Sequence, residues 1–185
     1  MADRKLTVVQ ILPALESGGV ERGTLEVAAA LVQAGHRSIV VSSGGHLVND
    51  LVAGGSLHIC LPVGKKSPVS LLQVRQLRRI LQQERVGILH ARSRMPAWIA
   101  WLAWRGMPEN SRPRFVTTVH GLYSVNRYSA IMMRGQRVIA VSDTARQYIL
   151  DNYPGVDPQR IITIYRGVDC EEFPYGYQPG EEWLR

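Results

Sequence analysis

Short apolar runs rich in β-branched residues alternate with longer amphipathic segments along the whole sequence. The first run, residues 6–12 (LTVVQIL), ends at Pro13, and apolar residues then recur at helical spacing until Gly35. Strands joined by helices pair in parallel, because each helix returns the chain to the starting edge of the sheet. The alternation therefore predicts an α/β fold, a Rossmann-like doubly wound sheet that is mainly parallel and has helices on both faces.

Six further runs predict strands, and four further segments predict helices. The predicted strands are residues 38–41, 56–61, 87–91, 115–119, 138–141 and 161–165. The predicted helices are residues 47–53, a surface helix of about 16 residues that begins at Ser67 and Pro68, residues 96–104, and a helix that Ser142 caps and Asn152 ends. Because Trp98, Trp101 and Trp104 surround the helix at 96–104, it is interpreted as a core helix or as a surface that meets a membrane or a partner.

The charge balance favours an anionic partner. Lys and Arg number 22 against 15 Asp and Glu, which gives a formal net charge of +7 for 185 residues. A nucleotide, a nucleic acid or an acidic membrane would each suit that charge, and an ordinary basic domain is the alternative. The basic residues are dispersed and no base-stacking motif accompanies them, so nucleic-acid binding is not predicted.

The protein is expected to be cytoplasmic. Charges at residues 3–5 precede an interrupted apolar run without a small-residue cleavage site, which is unlike a signal peptide. Cys60 and Cys170 form neither a C-x-x-C motif nor a disulfide framework, which fits a reducing compartment. The longest apolar stretch, residues 95–104, is shorter than the roughly 20 residues that a membrane-spanning helix needs.

A glycine-rich loop, residues 16–24 (ESGGVERGT), joins the first strand to the first helix. Gly18 and Gly19 permit close backbone approach, and the helix start offers unpaired N–H groups to an anionic ligand; a tight turn without a ligand is the alternative. The spacing with Gly23 is not G-x-G-x-x-G, and no acidic residue ends the second strand, so NAD binding is disfavoured. The sequence also lacks the P-loop motif G-x-x-x-x-G-K-[ST] and the hydrolase motif G-x-S-x-G.

Polar residues follow two predicted strands at the edge where such sheets bind ligands. His120 comes directly after the fifth strand and is a candidate for ligand contact, with a structural role as the alternative. Arg92 and Arg94 follow the fourth strand and could clamp a phosphate or carboxylate, or lie solvated on the surface. His90, inside that strand, is predicted to be a hydrogen-bonded core residue. The other histidines share neither a helical face nor a ligand spacing, so no metal site is predicted.

Five stretches of the sequence belong together by order and spacing. They are SGGVER (17–22), ILHARSR (88–94), TTVHGLYS (117–124), RVIAVSDTARQYI (137–149) and YRGVDCEEF (165–173). Together they resemble the amino-terminal domain of the retaining family 4 glycosyltransferases, and the fold that this implies is the N-terminal half of a GT-B fold. One departure is Arg166, where the family usually has asparagine, and it puts polar contacts at the domain junction in doubt.

The resemblance implies a nucleotide-sugar donor as substrate, with no cofactor and no required metal. Gly18, Gly19 and Arg22 are assigned to donor binding. His120 is assigned to the catalytic position beside the transferred sugar, where it would hold a sugar hydroxyl rather than act as a strong base. The acceptor-side candidates, chosen on position and chemistry alone, are Arg92, Arg94, Tyr123 and Arg127.

The resemblance also implies a second domain. Residues 1–173 are assigned to the acceptor-side domain, and residues 174–185 to a tail that leads to the domain with most of the nucleotide pocket. The whole protein would transfer a sugar with retention to a glycan or glycolipid in cell-envelope polysaccharide or lipopolysaccharide synthesis, and the fragment alone is expected to be inactive. A lipid-linked acceptor would place it peripherally on the inner face of the cytoplasmic membrane. The alternative is a noncatalytic Rossmann-like module that recruits a membrane or protein partner.

Overall fold

The computed structural model describes residues 5–65, 70, 72–167, 170–171 and 175–176. Its centre is a seven-stranded sheet in the order β3-β2-β1-β4-β5-β6-β7, in which every neighbouring pair is parallel. The strands are β1 (Thr7–Ile11), β2 (Arg37–Ser42), β3 (Leu57–Cys60), β4 (Ile88–Ala91), β5 (Arg114–Val119), β6 (Arg137–Ala140) and β7 (Ile161–Thr163). All seven predicted strands are present, and the last one ends two residues earlier than predicted.

Five α-helices connect these strands within the described part of the chain. They are α1 (Gly19–Gln33), α2 (Val48–Ala53), α3 (Leu72–Gln83), α4 (Arg94–Arg105) and α5 (Asp143–Asn152). Right-handed crossovers from this strand order place α1 and α2 on one face of the sheet and α3, α4 and α5 on the other. The predicted Rossmann-like α/β fold with helices on both faces is therefore confirmed. The start of α3 that was predicted at Ser67 and Pro68 lies outside the described residues.

Local signals explain where α4 and α5 begin. Ser142 caps α5 as predicted, because its hydroxyl accepts the Ala145 N–H at 3.1 Å. Helix α4 begins at Arg94, two residues before its predicted start, and Pro96 sits in its first turn, where its missing N–H costs nothing. A 3-10 segment, Ser129–Arg134, was not predicted, and its residues Ile131, Met132 and Met133 are buried.

The tryptophan-bearing helix α4 is buried on one face only. Apolar residues make that face, and three of the five are alanines: Pro96, Ala97, Ile99, Ala100 and Ala103. Trp98, Trp101 and Trp104 are partly buried beside it, and two of them use the indole N–H: Trp98 donates to Tyr128 O at 3.0 Å and Trp104 to Pro113 O at 2.8 Å. The predicted core packing therefore holds for one face of the helix, and the indoles flank that face. Contact of the tryptophans with a membrane or a partner stays a prediction.

The two faces of the sheet have different cores. Alternate strand residues such as Val9, Leu89 and Phe115 face α3, α4 and α5 and belong to the larger hydrophobic cluster. A smaller cluster lies under α1 and α2 and consists of Leu12, Leu15, Ala28, Val40 and Leu51. On the α1 side of β4 and β5 the buried residues are polar, for example His90 and Thr118. The α1 side is therefore where polar chemistry is concentrated.

Candidate functional site

The candidate site lies at the carboxyl ends of β1 and β4. These two strands are neighbours although α1, β2, α2, β3 and α3 separate them in sequence, so the strand order reverses between them. Connections leave in opposite directions at such a switch point and open a crevice beyond the strand ends, where doubly wound folds bind ligands. The glycine loop follows β1, Arg92 follows β4, and His120 follows the adjacent β5.

Arg92 is buried and held in one position from the strand side. Arg92 is only 5% exposed, and its Nη1 atom donates to the Gln10 Oε1 atom at 3.0 Å. The Gln10 amide is fixed in turn, because its Nε2 donates to the Thr24 carbonyl in α1 at 3.0 Å. The Arg92 Nε atom is buried without a hydrogen-bond partner in the described part of the chain. The interpretation of Arg92 as a solvated arginine is therefore wrong.

His120 presents an unsatisfied imidazole at the same place. Both ring nitrogens are buried, and neither has a hydrogen-bond partner among the described residues. Burial, followed by the positive charges of Arg92 and Arg166, lowers the pKa of His120 from 6.5 to about 4. The ring is therefore neutral near pH 7, with one N–H donor and one acceptor nitrogen available to a ligand.

His90 lies on the same side of the sheet in a satisfied environment. Its Nε2 atom is 2.6 Å from the Thr118 hydroxyl, which confirms the predicted hydrogen-bonded core residue. Burial, then Arg92 and His120, lowers its pKa to about 3. The difference between the two histidines lies in the partner and not in the charge state, since both are neutral near pH 7.

Two concavities meet at Arg92 and His120. The first, which we term the sheet groove, has a volume of about 450 Å³ and runs along α1 over the open side of the sheet. Its lining includes Gly23, Glu26, Val27, His90, Arg92, Thr118, His120, Ile139 and residues 164–167. The second, the edge notch, has a volume of about 260 Å³. Its lining is Pro13, Val20, Glu21, residues 92–94, His120, Gly121 and Tyr123.

Three of the four acceptor-side candidates meet in the edge notch. Arg92, Arg94 and Tyr123 all line it. The Arg94 guanidinium carbon lies 4.9 Å from the centre of the Tyr123 ring, and its Nη1 atom donates to the Ser129 hydroxyl at 3.3 Å. Arg127 is exposed and lines neither concavity, so the structure does not bring it together with the others.

The donor-side candidates surround the start of α1. Gly18 precedes the helix, Gly19 is its first residue, and Arg22 is exposed in its first turn. A Cβ atom on Gly19 would lie 2.8 Å from Nη1 of Arg166, so the missing side chain makes room for that guanidinium. The twin-glycine corner is therefore covered by a long and flexible side chain of the protein itself, while the sheet groove beside it stays open to His120.

Two residues of this site were not assigned a role from the sequence. Arg166 directly follows the predicted strand 161–165 and lies three residues beyond the observed end of β7, and that strand-end position was the available signal. Gln10 is a polar residue inside the apolar strand β1, and it is fully buried. A buried amide needs partners, so a glutamine in such a strand indicates a polar network even before the partners are known.

Two further findings concern the described residues only. No group of three or more His, Cys, Asp or Glu side chains among them is arranged to hold a metal ion. None of their helices is long and apolar enough to cross a membrane.

Fold and site together define a Rossmann-like domain with a cationic crevice at its switch point. The chain belongs to Glycosyltransferase Family 4, whose family model matches residues 17–172. This confirms the family that the five sequence stretches resemble. A search of curated proteins found no matching sequence.

Solved structures agree with this assignment. A glycosyltransferase from Rickettsia africae ESF-5 is 38% identical with a TM-score of 0.80, and the match covers 98% of this chain and 48% of that one. Anabaena Alr3699/HepE in complex with UDP and glucose is 14% identical with a TM-score of 0.72, covering 90% of this chain and 46% of that chain. The lipopolysaccharide outer core galactosyltransferase WaaB is 13% identical with a TM-score of 0.63, covering 88% and 46%. The chain thus spans about half the length of these proteins.

Proposed function

We propose that the whole protein transfers a sugar from a nucleotide-sugar donor to a glycan or glycolipid, with retention at the anomeric carbon. The observation that carries this proposal is a neutral imidazole at the switch point of a family 4 domain, with no partner for either ring nitrogen among the residues that the structure describes. Anabaena HepE, a structural neighbour, is in complex with UDP and glucose, which supports the choice of donor class. This chain would be the acceptor-side half, with residues 1–173 as the domain and residues 174–185 as the tail to a second domain.

The chemistry assigned to the crevice is electrostatic. When the sugar leaves its nucleoside diphosphate, negative charge develops on the leaving oxygen, and preorganised donors that are already in place stabilise it. In this half those donors are the N–H groups at the start of α1 beside Gly18 and Gly19, together with cationic side chains such as Arg22. Each domain would supply part of the set, so this half alone is expected to be inactive.

His120 would orient the transferred sugar. With its pKa lowered to about 4, the imidazole is a weak base, and near pH 7 it is not in the imidazolium form that acts as a general acid. It can accept a hydrogen bond from one sugar hydroxyl and donate to another oxygen. The role proposed for His120 is therefore to hold the sugar in the geometry from which the bond to the diphosphate breaks.

The acceptor is proposed to bind on the edge-notch side. Arg92, Arg94 and Tyr123 offer two guanidinium groups and an aromatic ring there, and Arg127 would reach the acceptor from the exposed loop. Such a lining suits an anionic or phosphorylated glycan. Cell-envelope polysaccharide or lipopolysaccharide synthesis is the corresponding pathway class, and a lipopolysaccharide galactosyltransferase is among the structural neighbours.

The test measures nucleoside diphosphate release from a panel of sugar nucleotides, with envelope glycans as acceptors. The protein extended by the coding sequence that follows residue 185 should turn over, and the 185-residue chain should not. His120→Ala should lower kcat by about 100-fold, because one preorganised hydrogen bond is lost. His36→Ala, directly before the amino end of β2 and so away from the carboxyl ends of the strands, is the matched control. Robust turnover by the 185-residue chain would contradict the two-domain assignment, and full activity of His120→Ala would contradict its role.

A peripheral location on the cytoplasmic face of the membrane is part of this proposal. The Trp101 ring on α4 lies between two cations, with the guanidinium carbons of Arg105 and Arg134 at 5.1 and 4.9 Å from its centre. Such a patch suits an anionic headgroup surface, and it is also the feature that favours the noncatalytic recruitment alternative. Salt-sensitive sedimentation with anionic vesicles, lost in Arg105→Gln, would support the location. Recruitment without any transferase activity in the extended protein would favour the alternative.

A further inference from the structure

Two arginines converge on one point of the sheet groove. A Cβ atom on Gly23 would lie 2.9 Å from Nη2 of Arg166 and 3.1 Å from Nη2 of Arg92. Like charges this close repel each other, and burial together with Arg166 lowers the pKa of Arg92 to about 10. The ion pair of Arg166 with Glu26 is loose, since the Arg166 Nη2 atom is 3.8 Å from Oε2 of the half-exposed Glu26. The groove therefore brings two guanidinium groups close together, and the carboxylates that act on Arg92 are those of Glu26 and Glu21.

The donors around this point are also unsatisfied. Arg92 Nε and both ring nitrogens of His120 are buried, and none has a hydrogen-bond partner within residues 5–65 and 72–167. A buried charged donor without an acceptor is unfavourable, because the hydrogen bond that it made to water is lost and not replaced. Gln10 prevents Arg92 from turning away to find one, because it holds the Nη1 end. An acceptor-rich ligand would remove this penalty.

The arrangement fits a phosphate better than a carboxylate. Arg92 approaches from the strand side, Arg166 from the segment after β7, and His120 from the end of β5, so acceptors are needed in three directions. A phosphate group offers three terminal oxygens, and guanidinium groups bind them through paired N–H donors. The absent side chain of Gly23 leaves the shared point free for such an oxygen.

We propose that Arg92, Arg166 and His120 form a phosphate-binding site over Gly23 in the sheet groove. The proposal rests on the function proposed above and deepens it, because it names a phosphate as the group that this half recognises. It also gives Arg166 a role: the guanidinium that covers the glycine corner with Nη1 offers Nη2 to the phosphate over Gly23. The phosphate belongs either to the diphosphate of the donor or to a phosphorylated acceptor.

The experiment titrates the 185-residue chain with inorganic pyrophosphate and follows binding by calorimetry and by the Arg Nε–Hε signals in NMR. Arg166→Gln and Arg92→Lys should each weaken binding at least about tenfold, because a charge-assisted hydrogen bond is lost. Gly23→Ala should weaken it comparably, since its methyl group takes the shared point. Arg79→Gln on α3, exposed on the opposite face, is the matched control and should bind like the wild type. Far-UV circular dichroism verifies the fold of each variant.

Two further ligands identify the source of the phosphate. If the donor supplies it, Arg166→Gln weakens binding of UDP tenfold and leaves a sugar 1-phosphate unaffected; if the acceptor supplies it, the pattern reverses, and either result supports the site. Pyrophosphate binding that is equal in wild type, Arg166→Gln and Gly23→Ala overturns the proposal, as does binding that Arg79→Gln weakens equally. The Arg166→Gln and Arg92→Lys variants could lose pyrophosphate binding while the extended protein transfers no sugar. That result would support the phosphate site and contradict the transferase proposal.

Discussion

The two faces of the sheet differ in chemistry: one is an apolar core and the other carries buried polar residues. On the side of α3, α4 and α5, residues such as Leu89 and Phe115 are fully buried in one continuous hydrophobic cluster. On the side of α1, the intervening residues of the same strands include His90 and Thr118, and the strands lead to Arg92 and His120 at the open groove. Successive side chains of a strand point to opposite faces of the sheet, so the same strand can pack into the core with one face and contact a ligand with the other.

The comparison predicts that stability and binding respond to different residues. A substitution on the α4 side removes well-packed apolar contacts and should lower the free energy of unfolding. A substitution on the groove side removes a polar group that has few partners in the protein, so it should alter ligand binding with little change in stability.

Phe115→Ala is expected to give the largest effect. Phe115 is fully buried and its ring lies 6.0 Å from that of Trp104, so the substitution leaves a cavity and should lower the free energy of unfolding by about 3–5 kcal/mol. Val27→Ala in the groove, where Val27 is 37% exposed, is the control and should change it by less than about 1 kcal/mol. Urea denaturation followed by circular dichroism measures both. Equal losses would mean that the two faces contribute alike to the core.

The pH dependence of stability should identify the groove histidine. The folded-state pKa of His120 is about 4 and its ordinary value is 6.5, so the unfolded chain takes up the proton first as pH falls. The stabilisation is complete above pH 6.5 and is lost progressively towards pH 4. Between pH 6.5 and 4.5, the loss should be smaller by about 2 kcal/mol in His120→Asn than in the wild type. Identical pH profiles would mean that His120 is not buried as a neutral ring.

Arg166→Gln should have the smallest effect on stability. The guanidinium is partly exposed, its distance to Glu26 is 3.8 Å, and it repels Arg92, so its removal should change the free energy of unfolding by less than about 0.5 kcal/mol. The same urea titration measures this. A loss above about 1.5 kcal/mol would show that Arg166 is a structural residue, which would weaken the case for a ligand at the groove.

The sequence predicted the sheet because parallel strands are buried on both faces and appear as continuous apolar runs. It did not predict the 3-10 segment Ser129–Arg134, since a segment this short shows no helical repeat of apolar residues. Helix α4 was recognised, but the depth of its tryptophans was not, because depth depends on which neighbours come closest.

The candidate site was predicted in its parts and not in its assembly. Arg92 and His120 were found because the carboxyl edge of a doubly wound sheet binds ligands whatever its sequence. The contact between Arg166 and the glycine corner could not be found in this way, because it requires the residues after β7 to reach α1 across the edge of the sheet. Arg127 lies outside both concavities, because position in a loop does not fix where a side chain lies, and its acceptor role stays a prediction.

The hydrogen bond from Arg92 to Gln10 couples two positions that are 82 residues apart in the sequence. Without an amide at residue 10, the guanidinium of Arg92 would lose the hydrogen bond that orients it. Without the guanidinium, the buried Gln10 oxygen would have lost its donor. In homologous proteins the two positions should therefore change together, with paired apolar residues wherever the cation has been abandoned. Such lineages would mark the branch of the family in which this crevice has taken up a different ligand.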